Sequence, residues 1–136
     1  MIYSPTAQHA LRALIFLARD NGAKPIRVTE IAAAEAIPKQ FLSKILHSLR
    51  NKGLVKATKG PGGGYMLAKP SSEITIWNVV EAIDGLQNLE NRCILGLREC
   101  TDTGSCALHD QWKRLREEFT RTIGSMTLER ASKESK

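Results

Sequence analysis

The chain has 136 residues, which is enough for one compact domain with an additional element but not for two full domains. Lysine and arginine exceed aspartate and glutamate by 20 to 14, a moderate positive balance whose distribution matters more than its size. No stretch approaches the roughly 20 apolar residues that span a bilayer, and the opening residues lack the pattern of a signal peptide. We therefore expect no membrane association and a cytoplasmic location.

The first half of the chain predicts three helices in the order of a helix-turn-helix. Apolar residues at helical spacing predict the first helix over residues 6–21. A short second helix is expected to begin at Thr29, because threonine is a favourable N-cap residue. The third opens at Pro38, since proline suits the first turn of a helix, and ends before Gly53, where a left-handed cap is expected. Its predicted core face consists of Leu42, Ile45, Leu46 and Leu49.

The opposite face of the third helix is polar and basic. Its residues are Lys39, Gln40, Ser43, Lys44, His47 and Arg50. A face of this kind is often only a solvated surface. However, residues 36–72 contain seven basic residues and no acidic one, as expected of a surface that meets a polyanion. The helix-turn-helix order together with this charge pattern predicts DNA binding.

Two short β-type runs follow, on either side of a glycine-rich turn at residues 60–64. A hairpin directly after a recognition helix is typical of the wing of a winged helix. A nucleotide-binding loop is excluded because Tyr65 occupies the final glycine position of the Gly-x-Gly-x-x-Gly pattern. No Gly-Lys-Ser/Thr sequence of a P-loop is present either.

A fourth helix is expected to begin near Thr75 and to close at Gly85. Helical periodicity then disappears from residue 86 to 105, a loop long enough to indicate a functional segment. The last predicted helix covers residues 108–123, and its near-heptad apolar stripe favours pairing with a second copy. The residues after 130 are polar and predict a frayed tail. The stripe consists of Leu108, Trp112, Leu115, Phe119 and Ile123.

Cysteines are confined to the long loop and its end, at Cys93, Cys100 and Cys106, with His109 close behind. An odd number of cysteines in a reducing compartment is a poor disulfide set. Thiolates suit iron–sulfur clusters and zinc, and imidazole replaces thiolate on iron in some clusters. The spacing alone leaves three interpretations open: a cluster, a zinc site, or unliganded thiols.

The sequence Leu-Arg-Asn-Lys-Gly-Leu-Val at residues 49–55, followed by Lys-Gly-Pro-Gly-Gly-Gly-Tyr at residues 59–65, resembles the winged-helix iron–sulfur regulators that include IscR, NsrR and RirA. The resemblance extends over residues 1 to about 128 and includes the three cysteines and the tryptophan-containing helix after them. It implies a mainly α fold: a winged helix-turn-helix with a small β-hairpin wing, a cysteine-bearing loop and a long C-terminal dimerisation helix.

The implied organisation is a DNA-binding domain over residues 1–85, a cluster-binding loop over 86–107, and a dimerisation helix with a polar tail over 108–136. The resemblance also implies a homodimer on a palindromic double-stranded DNA operator, with the third helix in the major groove and the wing in a minor groove. The residues predicted to contact DNA are Thr29, Lys39, Gln40, Phe41, Ser43, Lys44, His47, Arg50, Lys59, Gly60, Pro61, Gly62 and Gly63.

The implied cluster ligands are Cys93, Cys100 and Cys106, with His109 at the position of the fourth ligand in IscR-type members. This pattern favours [2Fe-2S] over [4Fe-4S]. Other members take the fourth ligand from the partner subunit, at a position that corresponds to Gln8 here. Glutamine is a poor ligand, which favours His109 as the fourth ligand, and His9 next to Gln8 is the alternative from the partner subunit.

Two other functions are compatible with these residues. A winged-helix regulator without a cluster would use the cysteines as thiol sensors or as a zinc site. A regulator of another class would act by docking onto a metabolic enzyme. We do not expect an enzyme or a small-molecule substrate, because the sequence contains no nucleophile–base pair, no motif of paired carboxylates and no cofactor loop.

Overall fold

The computed structural model describes residues 3–19, 24–86, 95 and 107–134. The fold is mainly helical with one small hairpin, which confirms the predicted fold class. Within the described ranges, none of the helices combines the length and apolar character needed to cross a bilayer. In chain order the elements are α1 (Pro5–Ala18), α2 (Val28–Glu35), α3 (Lys39–Asn51), β1 (Val55–Thr58), β2 (Gly64–Leu67), a 3₁₀ turn (Ser71–Glu73), α4 (Ile76–Asp84), α5 (His109–Ser125) and α6 (Leu128–Glu134).

α1 begins with a local signal in the sequence. Ser4 has extended backbone angles, and its hydroxyl accepts a hydrogen bond from the Ala7 N–H at 3.0 Å. Pro5 occupies the first helical position, where its missing N–H leaves no donor unsatisfied. Leu14 and Leu17 are buried on the face that packs against α3, α4 and α6. α1 is therefore the central element of the core.

α2 begins earlier than predicted, and the assignment of Thr29 as its N-cap is wrong. Arg27 is the N-cap residue, and its carbonyl accepts hydrogen bonds from the N–H groups of Glu30 and Ile31 at 3.0 and 3.1 Å. The residue before it, Ile26, exchanges two backbone hydrogen bonds with Tyr65 of β2, each 2.8 Å long. This bridge fixes the backbone at Ile26 beside β2, so the next residue is the N-cap of the helix.

α3 confirms the predicted core face, since Leu42, Ile45, Leu46 and Leu49 are all buried. Pro38 is the N-cap rather than the first helical residue, a difference of one position. Gly53 has a φ of +79°, which confirms the predicted left-handed residue after the helix. The chain turns there directly into the hairpin.

β1 and β2 are antiparallel, with Val55 opposite Leu67 and Thr58 opposite Gly64. Val55 and Leu67 are buried at the base of the hairpin, whereas the rest of β1 is exposed and the rest of β2 is half-buried. The predicted wing is therefore present, attached to the core at its base and projecting at its tip.

α4 begins at Thr75, whose hydroxyl accepts from the Asn78 N–H while the Asn78 side chain accepts from the Thr75 N–H. This reciprocal pair is a capping box. Val79 and Val80 are fully buried, and Gly85 ends the helix with a φ of +69°. Both predicted boundaries are confirmed.

The apolar residues of α5, which the sequence predicts to lie on one face, do not all face the core. Ile123 is buried in the core cluster and Phe119 packs against it, but Leu115 is 62% exposed. Arg116, between them, is only 8% exposed. Leu108, which precedes the helix, is also exposed. The core-facing and outward-facing sides of α5 therefore both carry apolar residues.

α6 packs against α1 and the segment before α4. The Leu128 N–H donates to the Ile74 carbonyl at 2.8 Å, and the Ile76 N–H donates to the Met126 carbonyl at 2.9 Å. Leu128 is fully buried, and α6 packs against α1. The helix continues to Glu134, so the segment expected to fray after residue 130 is helical over four more residues.

Candidate nucleic-acid interface

α3 carries seven of the thirteen residues predicted to contact DNA, most of them on its outward face. Lys39, Gln40, Lys44, His47 and Arg50 are all exposed. They lie opposite the leucine and isoleucine side chains that anchor the helix in the core. The geometry therefore presents cationic and amide groups together on one accessible surface, as the approach of a polyanion requires.

Two further residues of α3 are predicted to contact DNA. Ser43 lies within the polar face, three residues after Gln40 and four before His47, and is half-buried. Phe41 is exposed at the edge of this face, and its ring meets the imidazole of His9 from α1 edge-on, with centroids 6.4 Å apart and an interplanar angle of 69°. Sequence periodicity could not find this pair, because its members lie on different helices.

α2 packs against α3 and supports its position. Ile31 and Ile37 are buried between the helices, and Ala36 takes a left-handed conformation with a φ of +54° that makes the turn tight. Arg12 of α1 forms an ion pair with Glu35 of α2 at 3.5 Å. Thr29 remains exposed in the first turn of α2, where its side chain is accessible to a DNA backbone.

The wing tip brings the remaining predicted residues together. Lys59, Gly60, Pro61 and Gly62 are exposed there. Gly63 is buried: its N–H donates to the Gly60 carbonyl at 2.9 Å, and a Cβ on Gly63 would lie 2.3 Å from the Thr58 carbonyl oxygen. The tip is thus a tight turn that bears one exposed lysine.

The predicted metal ligands are described only in part. Cys93, Cys100 and Cys106 lie outside the described residues. His109 is the first residue of α5 and is half-buried. In the described ranges, no group of three or more histidine, cysteine or acidic side chains is close enough to hold a metal ion. Three thiolates with one imidazole nevertheless form a donor set that fits an iron–sulfur cluster or zinc.

The N-terminal residues contribute contacts that the sequence analysis did not identify. Tyr3 stacks on Phe119 of α5, with ring centroids 6.3 Å apart. The Ser-Pro pair at residues 4 and 5 is a recognisable helix start and could have been used to place α1. By contrast, no local signal identifies a ring contact across more than a hundred positions.

The chain is similar to known transcription regulators over nearly its full length. A family model described as an iron-dependent transcriptional regulator, Rrf2, matches residues 3–134. An HTH-type transcriptional regulator of Aquifex aeolicus is 38% identical over 121 residues, covering 88% of this chain and 83% of the relative. The HTH-type regulator IscR of Escherichia coli is 29% identical over 121 residues, covering 89% of this chain and 74% of its own length.

A solved structure agrees with the sequence relatives. CymR of Bacillus subtilis, described as its global cysteine regulator, superposes with a TM-score of 0.83 at 26% identity, covering 98% of this chain and 97% of CymR. These relatives are transcription regulators and not enzymes, which confirms both the predicted resemblance and the expectation that the chain is no enzyme. The chain belongs to the Rrf2 family of DNA-binding transcription regulators.

Proposed function

We propose that the chain acts in the cytoplasm as a homodimer that binds a palindromic DNA operator and senses iron–sulfur, redox or nitric oxide status through a cluster held by Cys93, Cys100 and Cys106. His109 is the proposed fourth ligand, and [2Fe-2S] is favoured over [4Fe-4S]. The donor set carries the proposal, because three cysteines and a histidine lie within 17 consecutive residues, 93–109. The iron dependence in the description of the matching family supports it.

DNA is bound by α3 and the wing. The exposed face of α3 enters the major groove, where Gln40, Phe41 and Ser43 lie at the base-reading end and the lysines contact phosphate. Lys59 and the adjacent glycines reach a neighbouring minor groove. The absence of acidic residues from residues 36–72 supports this orientation, since no negative charge on that stretch repels a phosphate group.

The second copy packs against α5. Leu115 is well exposed in the middle of a 17-residue helix, and Leu108 adds apolar surface at its beginning. A helix that presents apolar residues on its outer side favours association with another helix. Two copies would then place two α3 helices and two wings on one duplex.

Regulation follows from the position of the cysteine segment between α4 and α5. A bound cluster supplies reversible electron transfer and can be lost or oxidised. Both flanking helices contact the start of α1: Asp84 of α4 bonds to Ser4, and Phe119 of α5 stacks on Tyr3. A rearrangement of the cysteine segment would therefore reach α1 and, through it, α3, which changes the affinity for DNA.

The test is an absorption spectrum with iron and sulfide analysis on protein purified without oxygen. We expect a brown protein with equal iron and sulfide, and a loss of the visible bands in Cys100→Ala. Ser105→Ala is the matched control, because it changes a residue of the same segment that is a poor iron ligand. Retention of colour by Cys100→Ala would remove that cysteine from the ligand set.

A cluster-free regulator is the second candidate, and the similarity to CymR, described as a cysteine regulator, favours it. In that case the three cysteines act as thiol sensors or bind zinc. Colourless protein without iron or sulfide, purified under the same conditions, would support this candidate over the cluster. Zinc content and the number of titratable thiols would then separate its two forms.

A further inference from the structure

Phe41 is an apolar side chain in a polar environment. Within α3, it is the large apolar residue that stays exposed, with 54% of its surface accessible. Lys44, three residues further on, is its exposed neighbour on the helix surface, and Lys39 and Gln40 precede it in the first turn with exposed side chains. A single exposed apolar residue needs no explanation elsewhere on a surface, but this one lies at the end of the helix that approaches DNA bases.

His9 restricts where the Phe41 ring can lie. The two rings meet edge-on at 6.4 Å, and α1 packs directly against α3. The Nδ1 atom of His9 is buried and has no hydrogen-bond partner among the described residues. At this position the imidazole therefore acts as a packing surface. It packs against the phenyl ring, and 54% of the Phe41 surface stays accessible.

We propose that Phe41 is a specificity-determining residue that contacts the C5-methyl group of a thymine in the operator, and that His9 is the positioning residue behind it. The inference rests on the proposed binding of α3 in the major groove. A phenyl ring offers no hydrogen bond to a base. The thymine methyl is the one apolar group that a base pair presents in the major groove, and phenylalanine is one of the side chains that contact it.

The size of the effect follows from the area that the contact removes from water. Burial of one methyl-sized group changes an equilibrium constant by roughly fourfold. A contact of the ring with a deoxyribose instead would strengthen binding equally for every base. Discrimination between thymine and a base that lacks only the methyl group is therefore the property that identifies the proposed contact.

The test uses deoxyuridine, which retains every hydrogen-bonding group of thymidine and lacks only the methyl. A duplex is first selected from a randomised pool with the full-length wild-type protein. Its thymines are then replaced by uracil one at a time, and binding is followed by fluorescence anisotropy. For the wild type we expect a roughly fourfold loss of affinity at one thymine of each half-site and little change at the others.

Phe41→Ala is expected to bind the thymine and uracil duplexes equally, and Phe41→Leu to retain part of the discrimination. Because Phe41 is exposed, its replacement leaves the core intact, which circular dichroism verifies. Equal binding of both duplexes by the wild type at every position would overturn the inference. Full discrimination in Phe41→Ala would overturn it as well.

His9→Ala is expected to lower the thymine-to-uracil ratio while leaving the salt dependence of binding unchanged. His9→Phe should restore the ratio, because the replaced Nδ1 makes no hydrogen bond to any described residue. A purely structural role of His9 would weaken binding to both duplexes by the same factor. If the wild type selected no duplex, the proposed DNA binding by α3 would fail together with this inference, whereas selection without discrimination would overturn the inference alone.

Discussion

Ser4 and Asp84 lie 80 positions apart in the sequence and are joined by two hydrogen bonds. The Ser4 N–H donates to one carboxylate oxygen at 2.8 Å, and the Ser4 hydroxyl donates to the other at 2.5 Å. The same hydroxyl accepts from the Ala7 N–H and so caps α1. One serine therefore connects the beginning of α1 to the end of α4, directly before the cysteine segment.

Replacement of Asp84 by alanine should lower the free energy of unfolding by about 1 kcal/mol, because two charge-assisted hydrogen bonds are lost at a solvent-exposed position. Urea denaturation followed by circular dichroism measures the change. Glu73→Ala is the control, since the exposed Glu73 side chain makes no hydrogen bond or ion pair with any described residue, and its effect should stay below about 0.5 kcal/mol. Equal effects of the two variants would show that the link to Ser4 adds nothing to stability.

The wing depends on a close approach at Gly64. A Cβ there would lie 2.4 Å from the carbonyl carbon and oxygen of Ile26, so the backbone bridge between Ile26 and Tyr65 would have to open. We expect Gly64→Ala to destabilise the protein by about 2–3 kcal/mol in urea denaturation.

Gly124→Ala provides the matched control for the wing variant. Gly124 lies in α5, and a Cβ there would meet nothing within 4 Å. The same substitution should therefore stabilise the protein by up to about 1 kcal/mol, because alanine favours a helix over glycine. If Gly64→Ala were as stable as the wild type, the close contact between Gly64 and the Ile26 carbonyl would be contradicted.

Lys44 should contact a phosphate rather than a base. Lys44→Ala is expected to weaken binding to all duplexes and to reduce the slope of log K against log salt by about 1. The control is Lys133→Ala, which removes an exposed lysine on α6, outside the predicted contact set. An unchanged slope in Lys44→Ala would remove that residue from the interface.

Leu115 tests the proposed packing of a second copy on α5. Leu115→Asp places a charge in the proposed apolar contact and should shift the protein from dimer to monomer in sedimentation velocity. Ser125→Asp adds the same charge to an exposed position at the end of the same helix. A dimer that persisted in Leu115→Asp, at the protein concentration at which Ser125→Asp is a dimer, would contradict the assignment.

Much of the DNA-binding unit could be predicted from local sequence. The core face of α3, the left-handed Gly53 and the end of α4 at Gly85 all agree with the prediction. Each depends on interactions within a few residues, either helical periodicity or the absence of a Cβ. The roles of the individual DNA-contacting and cluster-binding residues remain predictions.

α2 shows why a local rule can fail. Threonine is a good N-cap residue, yet the helix starts two positions earlier, after Arg27. The bridge between Ile26 and Tyr65 orients the backbone for the helix at Arg27, two residues before Thr29. A hydrogen-bonded partner 39 positions away thus overrode a capping preference of about 1 kcal/mol.

The sequence by itself determined the five helices from α1 to α5, where the hairpin turns, and which face of α3 carries charge, because these properties depend on near neighbours along the chain. Only the tertiary structure decided that Arg116 is buried while Leu115 is exposed, that α6 packs on α1, and that His9 supports Phe41. A helical repeat shows which residues share a stripe. Which stripe is buried depends on the element that packs against it, and that element comes from a distant part of the chain.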